Sequence, residues 1–458
     1  MCLAGIKLCR ACYFCSTQFY SIQPEKEFSY VEKLEGLRAV VTQDEHDFGK
    51  LMAKVLSPSR PLQSEEFLKG RSDQLSALRR ALIQPGRHAL VHGLRGVGKS
   101  SLAQTGAYSL PETEEPILIG CDERSTFSKI IREVFDQVSG RSPNFEKEIT
   151  EKGLSFSRFG IGANGVSTIE EGKPSDPSSV NEAVRLLRFL SESLTFRLCV
   201  VVDEFDLILD RNEQVAFTNF LKQISDQHVE AVFIICGIGE SVEAVMDAHK
   251  SADRYFHTVG LGQLPWEARF EIVKNAADSL GVEIDENTVI RIARISDGFP
   301  HYIHLIAEKL FWGVFEARNG GQVTPDLFGA SMRDAAEALD MKLRKPYENA
   351  TQKYQNDYES VLWAAADGHE LRRRSSDIFL SYERVAKQIK SAPLDRPKFN
   401  QRINALKRKS HDEILSGSRA GWYEFSETMI RGYVRLRAEQ AGVDLEVDHP
   451  AVSKHLLE

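Results

Sequence analysis

The stretch "HALVHGLRGVGKSS", His88 to Ser101, places Gly93, Gly98, Lys99 and Ser100 at the spacing G-x-x-x-x-G-K-S. Each residue type has a chemical task there. Glycines permit backbone angles and a close approach that a β-carbon would block. Successive N–H groups, those of Arg95, Gly96, Val97, Gly98 and Ser101 among them, can then face a β-phosphate. The positive end of a following helix adds to their pull. Lys99 would reach the β- and γ-phosphates, and the Ser100 hydroxyl would bind Mg2+. A second set of residues fits this chemistry. In "VVVDEFD" an apolar run ends in Asp203 and Glu204. At the carboxyl edge of a parallel sheet, Asp203 would sit beside the glycine loop and hold Mg2+ through water. Glu204 would act as the general base that polarises an attacking water. The alternative is an acid pair that only caps a turn. No N-K-x-D guanine-reading motif occurs, so ATP is expected rather than GTP.

These residues need a strand, a loop and a helix to carry them. "HALVHG" reads as a short buried strand and "KSSLAQTGAYSL" as the helix after the loop, which is the context of a phosphate-binding loop. "SDQLSALRRALI" before it has Leu75, Leu78 and Leu82 at helical spacing and stops at Pro85-Gly86. "LSPSRPLQSEEF" reads as a linker. "PILIGCD", "LCVVVDEFDLI" and "AVFIICGIGES" read as further buried strands, separated by helices at 126–139, 180–193 and 212–226. Alternation of this kind predicts an α/β fold with a parallel sheet. The segment 154–179 reads as an inserted hairpin or loop. From about residue 263 only helical patterns follow. From about 345 come three helices and "EILSGSRAGWYEFS", a β-hairpin with a glycine tip, which together read as a winged helix-turn-helix.

Residues 66–310 resemble an AAA+ ATPase, nearest to the origin-recognition-like clade and the related STAND and archaeal-type ATPases. The resemblance rests on the glycine loop, on "DEFD" and on "FLKGRSDQLSALRRAL". In this family the last of these opens a helix that packs near the adenine, which implies that role for Gly70 and Arg71. "CGIGES" lies where the family keeps a γ-phosphate sensor, so Glu240 and Ser241 are the candidates. Arg254 matches the place where many members carry an arginine that reaches a neighbouring subunit's nucleotide; the alternative is a solvated helix-end arginine. In "DGFPHYIHLIAEKL", Gly298-Phe299-Pro300 replaces the arginine common in the helical lid. It is similar to the G-x-P motif of STAND switches, whose proline contacts nucleotide and holds a closed ADP state. This implies nucleotide contact by Pro300 and slow hydrolysis. His301 is read as a packed histidine or a phosphate ligand.

The expected organisation is a P-loop AAA+ core over 52–262, a small helical lid over 263–344, a winged-helix-like domain over 345–445 and a tail over 446–458. Residues 1–51 read as a leader, with Met52 as an alternative initiator. Its cysteines, Cys2, Cys9, Cys12 and Cys15, have no second knuckle to complete a zinc site. Cys121, Cys199 and Cys236 read as reduced core residues. The net charge of −8 argues against a chain that coats nucleic acid throughout. Residues 346–440, by contrast, hold 17 Lys and Arg against 13 Asp and Glu. Arg396, Lys398, Arg402, Lys407, Arg408 and Lys409 crowd onto the expected recognition helix and Arg419 onto the wing tip, a pattern that suits DNA backbone contact. It suits a solvated or protein-docking face equally. No apolar run reaches the roughly 18–20 residues that span a bilayer, and Lys7 and Arg10 break any signal-peptide core, so the chain reads as cytoplasmic. Two readings stand: an ATP-hydrolysing switch that assembles with copies of itself and acts on duplex DNA, or a STAND-like switch that controls a protein partner.

Overall fold

A computed structural model describes residues 44–111, 113, 115–141, 176–239, 252–339, 341–352, 355–417 and 421–445. The central strands are β1 (His88–Gly93), β2 (Ile117–Gly120), β3 (Leu198–Asp203), β4 (Ala231–Gly237) and β5 (Phe256–Leu261). They form one sheet in the order β2-β3-β4-β1-β5, and every pairing is parallel. Strands β3 and β4 read as unbroken apolar runs because both faces of a parallel sheet are covered. Successive residues still part to opposite sides. Val201, Ile234 and Ala89 enter the core on one face. Val200, Val202, Phe233 and Leu90 enter the core on the other.

Register sets what can meet at the sheet edge. Val202 of β3 lies opposite Ile235 of β4, and Val91 of β1 lies opposite Cys236. The carboxyl ends of β1 and β3 therefore flank Cys236 at one height. The glycine loop leaves from the first and Asp203 ends the second. Helices α2 (Ser72–Ile83), α3 (Lys99–Tyr108), α4 (Phe127–Arg141), α5 (Val180–Ser193) and α6 (Arg211–Asp226) cover the faces, and one turn, α7 (Ala252–Tyr255), leads into β5.

Four helices follow: α8 (Trp266–Leu280), α9 (Glu286–Ile295), α10 (Pro300–Ala317) and α11 (Pro325–Ala338). Pro300 opens α10 at a position where the missing N–H costs nothing. The remaining residues form α12 (Met341–Thr351), α13 (Gln355–Ala366), β6 (Arg372–Arg374), α14 (Ser375–Gln388), α15 (Arg396–Ala405), β7 (Leu415–Ser416), β8 (Trp422–Phe425) and α16 (Thr428–Gln440). The three strands make an antiparallel sheet in the order β6-β8-β7 beside α13, α14 and α15, the elements expected to form a winged helix.

Several details differ from the sequence expectation. A helix before the core, α1 (Glu45–Val55), runs across the expected boundary at residue 52. Phe48 stacks on Phe315 at 4.4 Å and Met52 is buried, so residues 45–51 belong to the packed structure. Strand β6 is an addition: three arginines show no apolar alternation, and only pairing with β8 makes them a strand. Helix α15 stops at Ala405, and Lys409–His411 form a separate 3-10 turn. The leader cysteines and the insert over 154–175 lie outside the described residues. Cys121, Cys199 and Cys236 are buried and unpaired. Among the described residues no helix is long and apolar enough to cross a membrane.

Candidate functional site

The loop from Gly93 to Lys99 wraps the start of α3. At Gly93 a β-carbon would come within 2.2 Å of the Leu261 carbonyl oxygen, so β1 and β5 could not lie this close with any other residue. Gly98 precedes α3 in a left-handed conformation, φ 97°. The Lys99 ammonium donates to the carbonyls of Gly93 and Leu94, at 3.1 and 3.0 Å. It thus curls over the loop whose amides would cradle an anion. Burial lowers the Lys99 pKa, Asp206, Cys236 and Asp203 raise it, and Arg95 lowers it again. Arg71 lies buried beneath the loop. One of its terminal nitrogens donates to the Val97 carbonyl at 3.1 Å and to the Gly262 carbonyl at 2.6 Å. Loss of water around it lowers its pKa to about 10. Arg71 therefore fastens the loop to the end of β5.

Across the cavity stand the acids. Asp203 accepts the Glu204 N–H at 2.9 Å. Glu204 itself is left-handed, φ 55°, and its side chain is exposed. A non-glycine residue held there stores strain of about 1 kcal/mol or more, a frequent mark of working sites. The 3-10 turn after it buries Phe205 and returns Asp206 to the cavity wall. Asp206 was missed in the sequence, although its place in "DEFD", two residues past Glu204, was the available signal.

Residues 57–62, expected to be a linker, form a strap over the other end of the cavity. Leu62 is pinned to α3: its N–H donates to the Ser101 hydroxyl, and its carbonyl accepts from Thr105. Helix α10, in the span expected to form the lid, holds the strap from the opposite side. His301 Nδ1 lies 2.9 Å from the Pro58 carbonyl oxygen, and the Ser57 N–H donates to His304 Nδ1 at 3.4 Å. Burial lowers the His304 pKa to about 4. Loop, acids, strap and lid enclose a cavity of about 310 Å³. Volumes of this order hold small ligands.

Residues 68–235 match the family model described as AAA ATPase domain. Strands β1 to β4, the glycine loop and the acid pair fall in that span or at its edge, and β5 lies beyond it. Residues 68–235 are an AAA ATPase domain. No curated protein matches the chain. Among solved structures, a Walker-type ATPase of Pyrococcus abyssi is similar at 20% identity, over 82% of this chain and 99% of that one, with a TM-score of 0.45. Cdc6p of Pyrobaculum aerophilum is similar at 14%, over 84% and 98%, with a TM-score of 0.39. The Orc1 protein of Aeropyrum pernix in complex with DNA is similar at 16%, over 81% and 93%, with a TM-score of 0.41.

The C-terminal helix α16 reaches the AAA ATPase domain directly. Gly96 has φ 79°, and a β-carbon there would lie 2.6 Å from the Met429 sulfur. The Tyr302 hydroxyl donates to the Met429 carbonyl at 2.5 Å. Two and six residues on, Arg431 and Arg435 grip Asp297, at 3.1 and 2.9 Å. All three are buried, at 1%, 2% and 3% exposure for Arg431, Arg435 and Asp297. Both guanidinium groups also donate to the Gly368 carbonyl. Burial lowers the Arg435 pKa to about 9 while Asp297 raises it. Asp297 immediately precedes Gly298-Phe299-Pro300, so the third unit, the C-terminal elements α12 to α16, holds the expected lid at the motif that borders the cavity. The Arg431–Asp297 pairing joins residues 134 positions apart, and no local pattern announces it.

Of the residues singled out in the sequence, Arg71, Arg95, Gly96, Val97, Gly98, Lys99, Ser100, Ser101, Asp203, Glu204 and Pro300 all line the one cavity. Gly93 lies behind it as a backbone acceptor for Lys99. Ser241 and Glu240 lie outside the described residues, as does Arg419. Arg254 is exposed, just before the amino end of β5, whereas the glycine loop leaves the carboxyl end of β1. It stands at the opposite edge of the sheet from the cavity of its own chain.

The basic residues of the third unit do not share one face. Arg402 turns inward to Asp357 at 3.0 Å and lies over Tyr358. Arg396 donates to the Ser375 hydroxyl and lies over Phe379 and Phe399. Lys398 is exposed beside Asp395. Lys407 reaches over Tyr423, and Arg408 and Lys409 are exposed beyond the end of α15. The expectation of six cations on one recognition helix is corrected on two counts: the helix ends early, and two of its arginines serve its own packing. Arg372 and Arg374 of β6, absent from the sequence reading, are exposed, with Arg374 over Trp422.

Proposed function

We propose that this protein is an ATP-driven switch that hydrolyses ATP slowly and couples nucleotide state to duplex DNA through its winged-helix unit. The observation that carries the reading is the convergence of Lys99, Ser100, Asp203 and Glu204 on one cavity, with α16 of the third unit touching the same loop through Met429. The donor set suits Mg2+, which takes one or two protein oxygens and fills its remaining positions from phosphate and water. The Ser100 hydroxyl and the Asp203 carboxylate are oxygen donors of that kind. Among the described residues no group of three or more His, Cys, Asp and Glu side chains is placed to hold a metal ion, which agrees with so sparse a site. Bound there, Mg2+ would neutralise charge on the β- and γ-phosphates.

This chain's residues then have defined tasks. The amides from Arg95 to Ser101 bind the phosphates. Lys99 leaves the Gly93 and Leu94 carbonyls to meet the β- and γ-oxygens. Glu204 takes a proton from water as its oxygen bonds to the γ-phosphorus and the bond to the β–γ bridging oxygen breaks. Arg71 positions the loop, and Pro300 closes the lid side. Because Arg254 stands at the far edge of its own sheet, its nucleotide contact belongs to a neighbouring copy in an ATP-dependent oligomer. Arg408 and Lys409, exposed beyond the end of α15, would meet DNA phosphates, with Lys398, ion-paired to Asp395, beside them.

ATP turnover by the full chain, with and without duplex DNA, tests this reading, with Glu204→Gln as the blank and Lys99→Ala as the binding-deficient control. Turnover that DNA stimulates and Glu204→Gln removes is the expected result. Turnover indifferent to DNA, with no duplex affinity, refutes the DNA coupling. It would favour the second reading, a STAND-like switch that controls a protein partner. The inward-turned Arg396 and Arg402 and the buried grip of α16 on the lid support that alternative.

A further inference from the structure

The strap end of the cavity has a chemistry of its own. Phosphates belong at the glycine loop, so a nucleotide bound there would extend its base toward Pro58, Leu62, Phe67, Leu68 and Ile272, a largely apolar enclosure suited to a flat ring. Two imidazoles from α10 border it. The Pro58 carbonyl has no proton to give, so the hydrogen bond at 2.9 Å puts a proton on His301 Nδ1. In the neutral ring the other nitrogen, Nε2, is then an acceptor only. His304 has the reverse arrangement. Its Nδ1 accepts from Ser57, so its proton sits on Nε2. The His304 ring is buried at 3% exposure, whereas the His301 ring is half-exposed and lines the cavity.

An acceptor at the edge of a purine pocket discriminates between bases. Adenine carries a hydrogen-bond donor, its amino group, at the 6-position, and guanine and hypoxanthine carry an acceptor oxygen there. We infer that His301 reads the 6-position of the bound purine through Nε2 and makes the site selective for a 6-aminopurine nucleotide. The inference deepens the nucleotide-switch reading and rests on it. It assigns to one side chain the base preference that the missing guanine motif left without a cause. His301 has two tasks, one per nitrogen: Nδ1 ties the strap to the lid, and Nε2 meets the base. Because strap and base share this ring, the 6-amino group also helps to close the strap.

The experiment is calorimetric titration of the full chain with ATP and with ITP, which replaces the 6-amino group by oxygen. The native chain is expected to prefer ATP by roughly tenfold or more, since two acceptors would otherwise face each other. His301→Asn keeps a short amide donor for Pro58 and lacks the Nε2 acceptor. It should bring the ATP to ITP ratio close to one while ATP still binds. N6,N6-dimethyl-ATP, which has no donor at this position, should bind the native chain roughly tenfold more weakly than ATP and needs no variant to fold. An ATP preference that survives His301→Asn, or full affinity for the dimethyl analogue, overturns the role of His301 and leaves the nucleotide site standing. Binding of neither triphosphate by the native chain overturns both.

Discussion

Asp297→Asn is the sharpest perturbation the fold offers. The substitution keeps the shape and removes one charge from a buried cluster in which Arg431 and Arg435 both pair with that carboxylate. A third guanidinium, that of Arg269, is also buried, and Asp297 opposes the fall in its pKa, which burial carries to about 10. Without Asp297, Arg431 and Arg435 keep Asp367 and carbonyl oxygens for company, and Arg269 keeps Glu267 and carbonyl oxygens. Arg431 is already short of a partner at Nε. Two unit charges about 4 Å apart interact by about 4 kcal/mol at an effective dielectric constant near 20. Removing one partner from a buried ion pair costs about 3–5 kcal/mol. All three partners are almost wholly out of water, so solvent screening removes little of this. The loss is a large share of the roughly 5–15 kcal/mol margin of a folded protein. Urea unfolding of native chain, Asp297→Asn, Arg431→Met and the double variant, followed by circular dichroism, measures it. The double variant should lose less than the two single losses combined, because it no longer buries as many unpaired charges. A loss below about 1 kcal/mol for Asp297→Asn, or plain additivity in the double variant, refutes the claim that this cluster holds the third unit to the lid.

Three further outcomes follow from the same geometry. Burial lowers the pKa of both His88 and His304 from 6.5 to about 4, so the unfolded chain binds these protons first. Stability is complete above pH 6.5 and falls as pH drops toward 4, by about 2 kcal/mol per ring at pH 5. Urea midpoints at pH 7 and 5 check this, and His304→Asn, which keeps an acceptor for Ser57, should flatten its share of the slope. Gly96→Ala forces a side chain into a left-handed position against the Met429 sulfur. It should cost about 1–2 kcal/mol for the backbone alone and weaken ATP binding. Adding Met429→Ala should recover part of the loss in melting temperature but not the backbone share. Arg408→Ala should weaken duplex binding and reduce the salt slope by about one. Arg402→Ala should destabilise the third unit and leave that slope unchanged, and fluorescence anisotropy at several salt concentrations separates the two.

Local patterns in the chain carry much of the core. Short stretches with apolar centres ending in Gly93, Asp203 and Gly237 announce strands buried on both faces, and a glycine loop between strand and helix announces an anion site. Both signals depend only on near neighbours, because side-chain alternation and loop geometry are set by backbone dimensions. Register then follows from the packing of both sheet faces and brings Asp203 level with the loop. The Asp203-Glu204 pair was therefore readable before any fold was known. So was the run of three helices and a hairpin at the C-terminus.

Tertiary structure alone decided the rest. Residues 57–62 read as a linker because proline and serine mark irregular chain, and nothing local says that such a segment will be pinned between α3 and α10. Arg402 reads as a free cation because charge is visible in a sequence and its partner is not; Asp357 lies far from it along the chain and near it only in space. The same holds for Arg431 and Arg435, arginines on an ordinary-looking helix whose burial depends on an acid in the lid. Spacing records what a residue is bonded to along the chain. The closing of strap, lid and third unit over one cavity depends on which surfaces exclude water together, and long-range packing determines that.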